Sequence, residues 1–248
     1  MPSPTKLYTD LSGYYDLMCA DIDYMAQSRG VRRLDQLFGN GGRCHLDLAC
    51  GTGPHIRHFL DSGYQSQGLD INQPMLDKAK LRCPDAEFTL GDMGNFAFDQ
   101  SFDLITCFLY SIHYCRDIDH LKSCIASVYR ALQAKGVLCF NAVDKTKISN
   151  NRFEAYTAEH LGDVFTFSSG WHYQGYGEQQ SLKLRIDKTT PDGCETWHDE
   201  HPMVALEFEE FAQLLEPYFE VHIFEHDYEK IEPWDGQSGN ALFVCVKA

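Results

Sequence analysis

No Cys-x-x-Cys pair occurs among the ten cysteines, which lie at 19, 44, 50, 83, 107, 115, 124, 139, 194 and 245. A zinc knuckle or a dithiol redox site needs that spacing, so neither is expected, and no metal with it. Several of these residues, Cys107 and Cys139 among them, sit inside apolar runs, where cysteine behaves as a small buried hydrophobe. Reduced, structural thiols suit a cytoplasmic protein. Positive charge is also scarce. The 21 Lys+Arg stand against 36 Asp+Glu, a net charge of −15, and the densest basic spot is Arg32-Arg33. Nucleic-acid backbones and anionic membranes are held by clustered cations, so neither is expected as a partner. No run approaches the roughly 18 apolar residues of a membrane helix. Met1-Pro2-Ser3-Pro4-Thr5-Lys6 has no charged start leading into an apolar stretch, so no signal peptide is expected. Repeats and low-complexity tracts are missing as well. What remains is ordinary globular composition, 44% hydrophobic and 23% charged. A chain of 248 residues buries a core of useful size without staples.

The apolar pattern alternates between two periods. Cys44–Cys50 is a short buried run that stops at Gly51-Thr52-Gly53, the signature of a strand ending in a glycine turn. Further strands are expected at Gln67–Ile71, Glu87–Leu90, Phe102–Leu109 and Val137–Phe140. Helical spacing fills the intervals. Residues 10–39 read as largely helical; Asn72 is placed to cap a helix with Pro74 in its first turn; Asp117 is placed to cap another, closed by Gly136. Strands alternating with amphipathic helices describe a parallel sheet covered on both faces. After about residue 150 the pattern changes. Val164–Phe167, Ser181–Ile186 and Cys194–His201, with a turn at Pro191-Asp192-Gly193, read as antiparallel strands. Trp171, His172, Tyr173 and Tyr176 fall among glycines and read as an aromatic loop suited to a lid. A helix over Glu207–Leu215 and strands at Val221–Phe224 and Ala241–Val246 finish the chain.

Leu46-Asp47-Leu48-Ala49-Cys50-Gly51-Thr52-Gly53 carries the chemical information. A strand running into this turn brings backbone close to a ligand at the carboxyl end of the sheet. Asp70, at the end of the next strand, is positioned to accept hydrogen bonds from ribose hydroxyls. Two cofactors fit the layout, a nicotinamide dinucleotide and S-adenosylmethionine. A pyrophosphate wants a third glycine where this chain has Ile56, and the Asp47 carboxylate repels it. Asp47 attracts the ammonium and sulfonium of S-adenosylmethionine instead.

Asp47 to Gly53 resembles motif I of the class I S-adenosylmethionine-dependent methyltransferases. Leu69-Asp70 resembles their second motif, Gly91-Asp92-Met93 their third, and Phe102–Thr106 their fourth strand. The likeness is strong over residues 40–145 and closest to small-molecule members such as the amino-sugar N-methyltransferases. It implies a Rossmann-like, doubly wound α/β fold: a seven-stranded, mostly parallel sheet with an antiparallel last strand, plus a small antiparallel β cap. The implied divisions are an N-terminal helical segment (1–40), the cofactor-binding core (41–150), the cap (151–205) and the C-terminal helix with the last strands (206–248). It implies S-adenosyl-L-methionine as cofactor, with Tyr15, Asp47, Ala49, Gly51, Gly53, Asp70, Ile71, Asp92, Met93 and Phe108 around it. Ala49 stands where many members have glycine, a substitution common among small-molecule members.

The expected activity is methyl transfer to a nitrogen or oxygen of a small-molecule acceptor, by a monomer or homodimer. A non-catalytic S-adenosylmethionine-binding regulatory protein is the alternative. An acceptor that arrives protonated needs a base. Tyr110 and His113, just past the fourth strand, and His201 are the candidates. Strand alternation puts Trp197, Asp199 and His201 on one face and His198 and Glu200 on the other.

Overall fold

Buried apolar runs of five or six residues lack the length for a helix and pair as strands, whereas the longer 3.6-period segments between them pack as helices on the sheet. The computed structural model describes residues 6–9 and 11–248, Lys6 by its backbone alone. Met1–Thr5, most of the stretch read for a targeting signal, and Asp10 lie outside the described residues.

The chain enters through a short helix α1 (Tyr15–Met18) and a long one, α2 (Tyr24–Phe38). Then come β1 (Cys44–Leu48), α3 (Pro54–Asp61), β2 (Gln65–Asp70), α4 (Gln73–Arg82), β3 (Glu87–Leu90), β4 (Phe102–Cys107), α5 (Ile118–Ala131) and β5 (Leu132–Val143). A second sheet follows: β6 (Glu154–His160), β7 (Asp163–Tyr173), β8 (Gln179–Thr190) and β9 (Gly193–Val204). The chain closes with α6 (Phe208–Leu215), β10 (Phe219–Glu225) and β11 (Asn240–Lys247).

The main sheet has the order β10-β11-β5-β4-β1-β2-β3. Its first five strands run parallel, and β11, the last, is antiparallel to both neighbours. Side-chain alternation divides the core in two. Leu104 and Val137 pack with Val31, Leu34 and Phe59 from α2 and α3. Ile105 and Leu138 pack on the other face with Leu121, Ile125, Val128, Phe208 and Phe211 from α5 and α6. Each such side chain contributes roughly 1.5–3 kcal/mol on burial. The second sheet is antiparallel in the order β6-β7-β8-β9, and Leu7 and Leu11 of the N-terminal segment pack against its Phe165, Phe167, Leu184 and Ile186.

Several expectations are corrected. The N-terminal segment is broken between Cys19 and Asp23, where the Asp23 side chain accepts from the Ala26 amide and starts α2 afresh. α5 ends at Ala131, and Gly136 lies inside β5, where a Cβ would approach the Gln133 carbonyl to 2.9 Å. Thus that glycine serves a close approach within a strand and is not a helix stop. β6 was not expected, because its alternating residues are mostly exposed and carry little apolar signal. β7 extends through Trp171–Tyr173, so those aromatics belong to a strand and only Tyr176 of the expected lid group stays in the loop.

Gly53 begins α3 in the left-handed region, with φ 77°, and a Cβ there would meet the Ala79 Cβ at 3.2 Å. Left-handed backbone costs an L-residue roughly 1–2 kcal/mol. Gly53→Ala is therefore expected to lower stability by roughly 1–3 kcal/mol, read from the urea midpoint at unchanged slope.

Candidate functional site

The site forms where β1, β2 and β4 end. β1 runs into a turn with three residues at positive φ: Ala49 (53°), Gly51 (56°) and Gly53 (77°). The turn is tied to β2 by the Cys50 amide donating to the Leu69 carbonyl at 3.1 Å. Asp70 anchors both loops. Its Oδ2 accepts from the Gly51 amide and its Oδ1 from the Asn72 amide, each at 2.8 Å. Burial pushes the Asp70 carboxyl up, and the amides of Asn72 and Gly51 pull it back.

Above this turn lies a cavity of about 500 Å³, within the roughly 300–1,000 Å³ of small-ligand sites. Its floor is Ala49, Gly51, Leu69, Asp70 and Ile71. Asn72 and Met75 from the start of α4, and Gly91, Asp92 and Met93 after β3, form one side. Ser111, Tyr114, Arg116 and His120 form the other, and Tyr8, Tyr15 and Pro202 complete the wall. The N-terminal segment is held on by a polar latch. Thr52 Oγ1 donates to Asp16 Oδ1 at 2.6 Å, and Arg82 donates to Asp16 Oδ2 at 2.9 Å and to the Thr52 carbonyl at 2.8 Å. Tyr15, next to Asp16, is thereby kept close over Gly51.

A row of hydrogen bonds runs along one wall. Tyr8 Oη lies 2.6 Å from Tyr114 Oη, and Tyr114 Oη lies 2.5 Å from His201 Nδ1. His201 Nε2 lies 3.2 Å from Asp199 Oδ2, which also accepts from the Leu7 amide at 3.0 Å. The expected alternation holds here: Trp197, Asp199 and His201 turn toward the N-terminal segment, while Glu200 accepts from Ser181 on the opposite face.

Of the residues singled out from sequence, Tyr15, Ala49, Gly51, Asp70, Ile71, Asp92 and Met93 line this one cavity. The others are placed elsewhere. Asp47 lies behind the wall, fully buried, and accepts from Thr106 Oγ1 at 2.7 Å; Thr106 Oγ1 is in turn 2.8 Å from His45 Nε2. Burial pushes the Asp47 carboxyl up to about 7. Gly53 packs against α4. Phe108 stacks flat on His55, with ring centroids 3.7 Å apart, on the α3 side of the sheet. Tyr110 packs edge-on to Trp171, its amide bound to Asn141, and burial raises its hydroxyl to about 12. His113 has no exposed surface. Its Nδ1 donates to the Val204 carbonyl at 2.8 Å and its Nε2 accepts from the Val143 amide at 3.0 Å, and burial pushes it down to about 4. With both nitrogens committed to backbone it is a structural histidine, not a base. His201 lies behind Tyr114, reaching the cavity only through it.

Sequence reasoning missed Tyr8, Tyr114, Arg116 and His120. One signal for Tyr114 existed: it neighbours His113. The chain turns through left-handed Leu109 and Tyr110, and the short helical turn that follows sends His113 into the core and Tyr114 to the cavity. His120 faces Asp92 Oδ1 at 2.9 Å, and Asp92 Oδ1 also accepts from the Gly94 amide. Among the described residues, no three acidic, histidine or cysteine side chains converge as a metal site.

The methyltransferase-domain family matches residues 46–136. The chain is 31% identical over 131 residues to the dTDP-3-amino-3,4,6-trideoxy-alpha-D-glucopyranose N,N-dimethyltransferase of Streptomyces venezuelae, covering 52% of this chain and 55% of that one. It is 30% identical over 188 residues to the dTDP-3-amino-3,6-dideoxy-alpha-D-glucopyranose N,N-dimethyltransferase of Streptomyces fradiae, covering 74% and 72%. The fold is that of DesVI from Streptomyces venezuelae, with a TM-score of 0.83, 24% identity and coverage of 97% and 99%. It is also that of S-adenosylmethionine-bound CalS10, an amino pentose methyltransferase from Micromonospora echinaspora, with a TM-score of 0.81, 18% identity and coverage of 96% of both chains.

Proposed function

The chain belongs to the class I S-adenosylmethionine-dependent methyltransferase family, and on that premise we propose that it methylates the amino nitrogen of a small, sugar-like acceptor. The observation that carries this reading is a cavity of about 500 Å³ in which Asp70, pinned by the Gly51 and Asn72 amides, faces a wall built by Tyr8, Tyr15 and Tyr114. S-adenosylmethionine, when bound, supplies a methyl carbon already activated by its sulfonium.

The residues fit that group. Asp70, its carboxylate held by the Gly51 and Asn72 amides, lines the cavity and suits the ribose hydroxyls as an acceptor. Ile71 and Met93 offer apolar surface for the adenine, and Asp92 an acceptor for its amino group. Gly51 leaves open backbone opposite Tyr15, and tyrosine ring faces attract a cation. The Asp16–Thr52–Arg82 latch holds Tyr15 in place and excludes water, which is most of what a pre-activated methyl group asks of an enzyme.

The choice of nitrogen is supported by the relatives, which are N,N-dimethyltransferases by name, and by the net charge of −15, which favours a cationic acceptor. Arg116 stands exposed on the cavity wall. It suits the anionic tail of nucleotide-linked amino sugars such as those in the relatives' names. No observation favours a non-catalytic, regulatory role.

A thermal-shift titration with S-adenosylmethionine, S-adenosylhomocysteine and NADH tests the cofactor. A ligand at 100 times its dissociation constant adds about 2.7 kcal/mol, roughly 5–10 °C at this size. The adenosyl pair alone is expected to shift the transition. Incubation with S-adenosylmethionine and dTDP-3-amino-3,6-dideoxyglucose is then expected to give a product heavier by one or two methylene units. Methylation of the 3-hydroxy analogue, with none of the amine, would overturn the nitrogen assignment.

A further inference from the structure

The hydrogen-bonded row on the cavity wall has a direction. Asp199 accepts two backbone amides, from Leu7 on Oδ2 and Glu200 on Oδ1, so it is held as a carboxylate that only accepts. His201 Nε2 therefore carries the proton toward Asp199, and its Nδ1 is an acceptor. Tyr114 must then donate to His201, and Tyr8 to Tyr114. One lone pair of Tyr114 Oη remains, on a residue that lines the cavity.

We propose that Tyr114 is the catalytic residue that removes the proton from the acceptor's ammonium group, with His201 and Asp199 behind it as positioning residues that receive and hold that proton. The proposal rests on the amine reading above. In the step, an ammonium N–H bond breaks and its electron pair stays on nitrogen. The released proton joins Tyr114 Oη as the proton already there passes to His201 Nδ1. Tyrosine ends neutral, and the positive charge has moved from the amine to the imidazole beside Asp199. The methylated nitrogen is itself an ammonium, so the proton held on His201 leaves through Tyr114 to solvent when product departs, one proton released per methyl transferred.

The surroundings suit this transfer. Desolvation of an ammonium in the cavity lowers its pKa toward that of an imidazole. The groups facing His201 and its partner are Asp199 on β9, Tyr114 after β4, Tyr8 and Cys19 of the N-terminal segment, and Asp70 across the cavity. Burial pushes the Tyr8 and Tyr114 phenols upward and the Cys19 thiol up to about 11, so none of the three loses its proton near neutrality. Burial holds His201 below its ordinary value, against the pull of Asp199, and it is the part of the row that changes charge.

The test compares wild type, Tyr114→Phe and His201→Gln with S-adenosylmethionine and dTDP-3-amino-3,6-dideoxyglucose as the probe. Both variants are expected to lose roughly 10²-fold or more in kcat at pH 7 with cofactor affinity unchanged. The deficit is expected to shrink about tenfold per pH unit toward pH 9, where solvent deprotonates the amine. A deficit equal at every pH overturns the proposal, since a packing defect does not depend on substrate protonation. His201 is fully buried, so a second arm needs neither its replacement nor turnover. Nitrogen-15 histidine spectra of wild type are expected to show His201 protonated on Nε2, with an Nδ1 resonance that moves in Tyr114→Phe. Protonation on Nδ1 instead overturns the relay. If wild type binds cofactor but leaves the probe unmethylated, the acceptor reading fails, and the spectra still decide the relay.

Discussion

Asp70→Ala is expected to weaken S-adenosylmethionine binding by roughly 10²–10³-fold. The loss has two sources. Hydrogen bonds to a charged group contribute roughly 1.5–3 kcal/mol each, and the carboxylate is placed to offer two to the ribose. The Gly51 and Asn72 amides, now bound at 2.8 Å, also lose their acceptor, so the glycine turn loosens beneath the ligand. Calorimetry with S-adenosylhomocysteine on a variant whose circular dichroism matches wild type would measure it. Affinity within a few-fold of wild type would remove Asp70 from the site. Asp47 is not interchangeable with Asp70 here: it stands one layer back, and its oxygen is engaged by Thr106.

Asp47→Asn should act on stability. Burial raises the Asp47 carboxyl from 3.8 to about 7, with nearby Asp70 adding to the rise and Thr106 opposing it. A carboxylate raised on folding costs nothing below its unfolded pKa, where both states are neutral. The cost grows as pH rises from about 4 to about 7 and is constant above that. At 1.36 kcal/mol per unit it reaches roughly 4 kcal/mol. The asparagine variant keeps an acceptor for Thr106 and is free of this cost. At pH 8 its melting temperature should exceed that of wild type by roughly 8–16 °C, and at pH 4 the two should coincide. His45 and His113, lowered by burial to about 3 and about 4, work in the opposite sense and weaken both proteins as pH falls below 6.5. The difference between the two profiles therefore isolates Asp47. Parallel profiles would show that Asp47 titrates as an ordinary carboxylate.

Much of the cavity floor was legible because its signals are local. A short apolar run, a glycine turn and an acid at the end of the next strand all lie within residues 44–70, the turn acting through its backbone and Asp70 through its carboxylate. Asp70 and Gly51 were readable for that reason. The same locality misled at Asp47, where one step along the strand decides between the cavity and the layer behind it. His113 was chosen for its chemistry, but two left-handed residues before it rotated the turn and gave Tyr114 the position. No local pattern marks Tyr8 or Arg116, since they reach the cavity only through tertiary packing. The face shared by Trp197, Asp199 and His201 was readable from strand alternation; what that face meets was not, because its partner is the opening turn of the chain.

That partnership links residues 192 positions apart, from the Leu7 amide to Asp199. A ribosome adding roughly 5–20 residues per second needs about 10–40 s to bridge such an interval. Through that time Leu7, Leu11, Tyr8 and Tyr15 have left the tunnel while the second sheet that receives them is still being made. Until β9 is made, the nascent chain thus carries exposed apolar side chains at Leu7 and Leu11 and an unroofed cleft. The roof over the cleft therefore has two halves made far apart in time, the segment carrying Leu7, Tyr8 and Tyr15 and the strand carrying Asp199 and His201, and neither closes the cleft without the other.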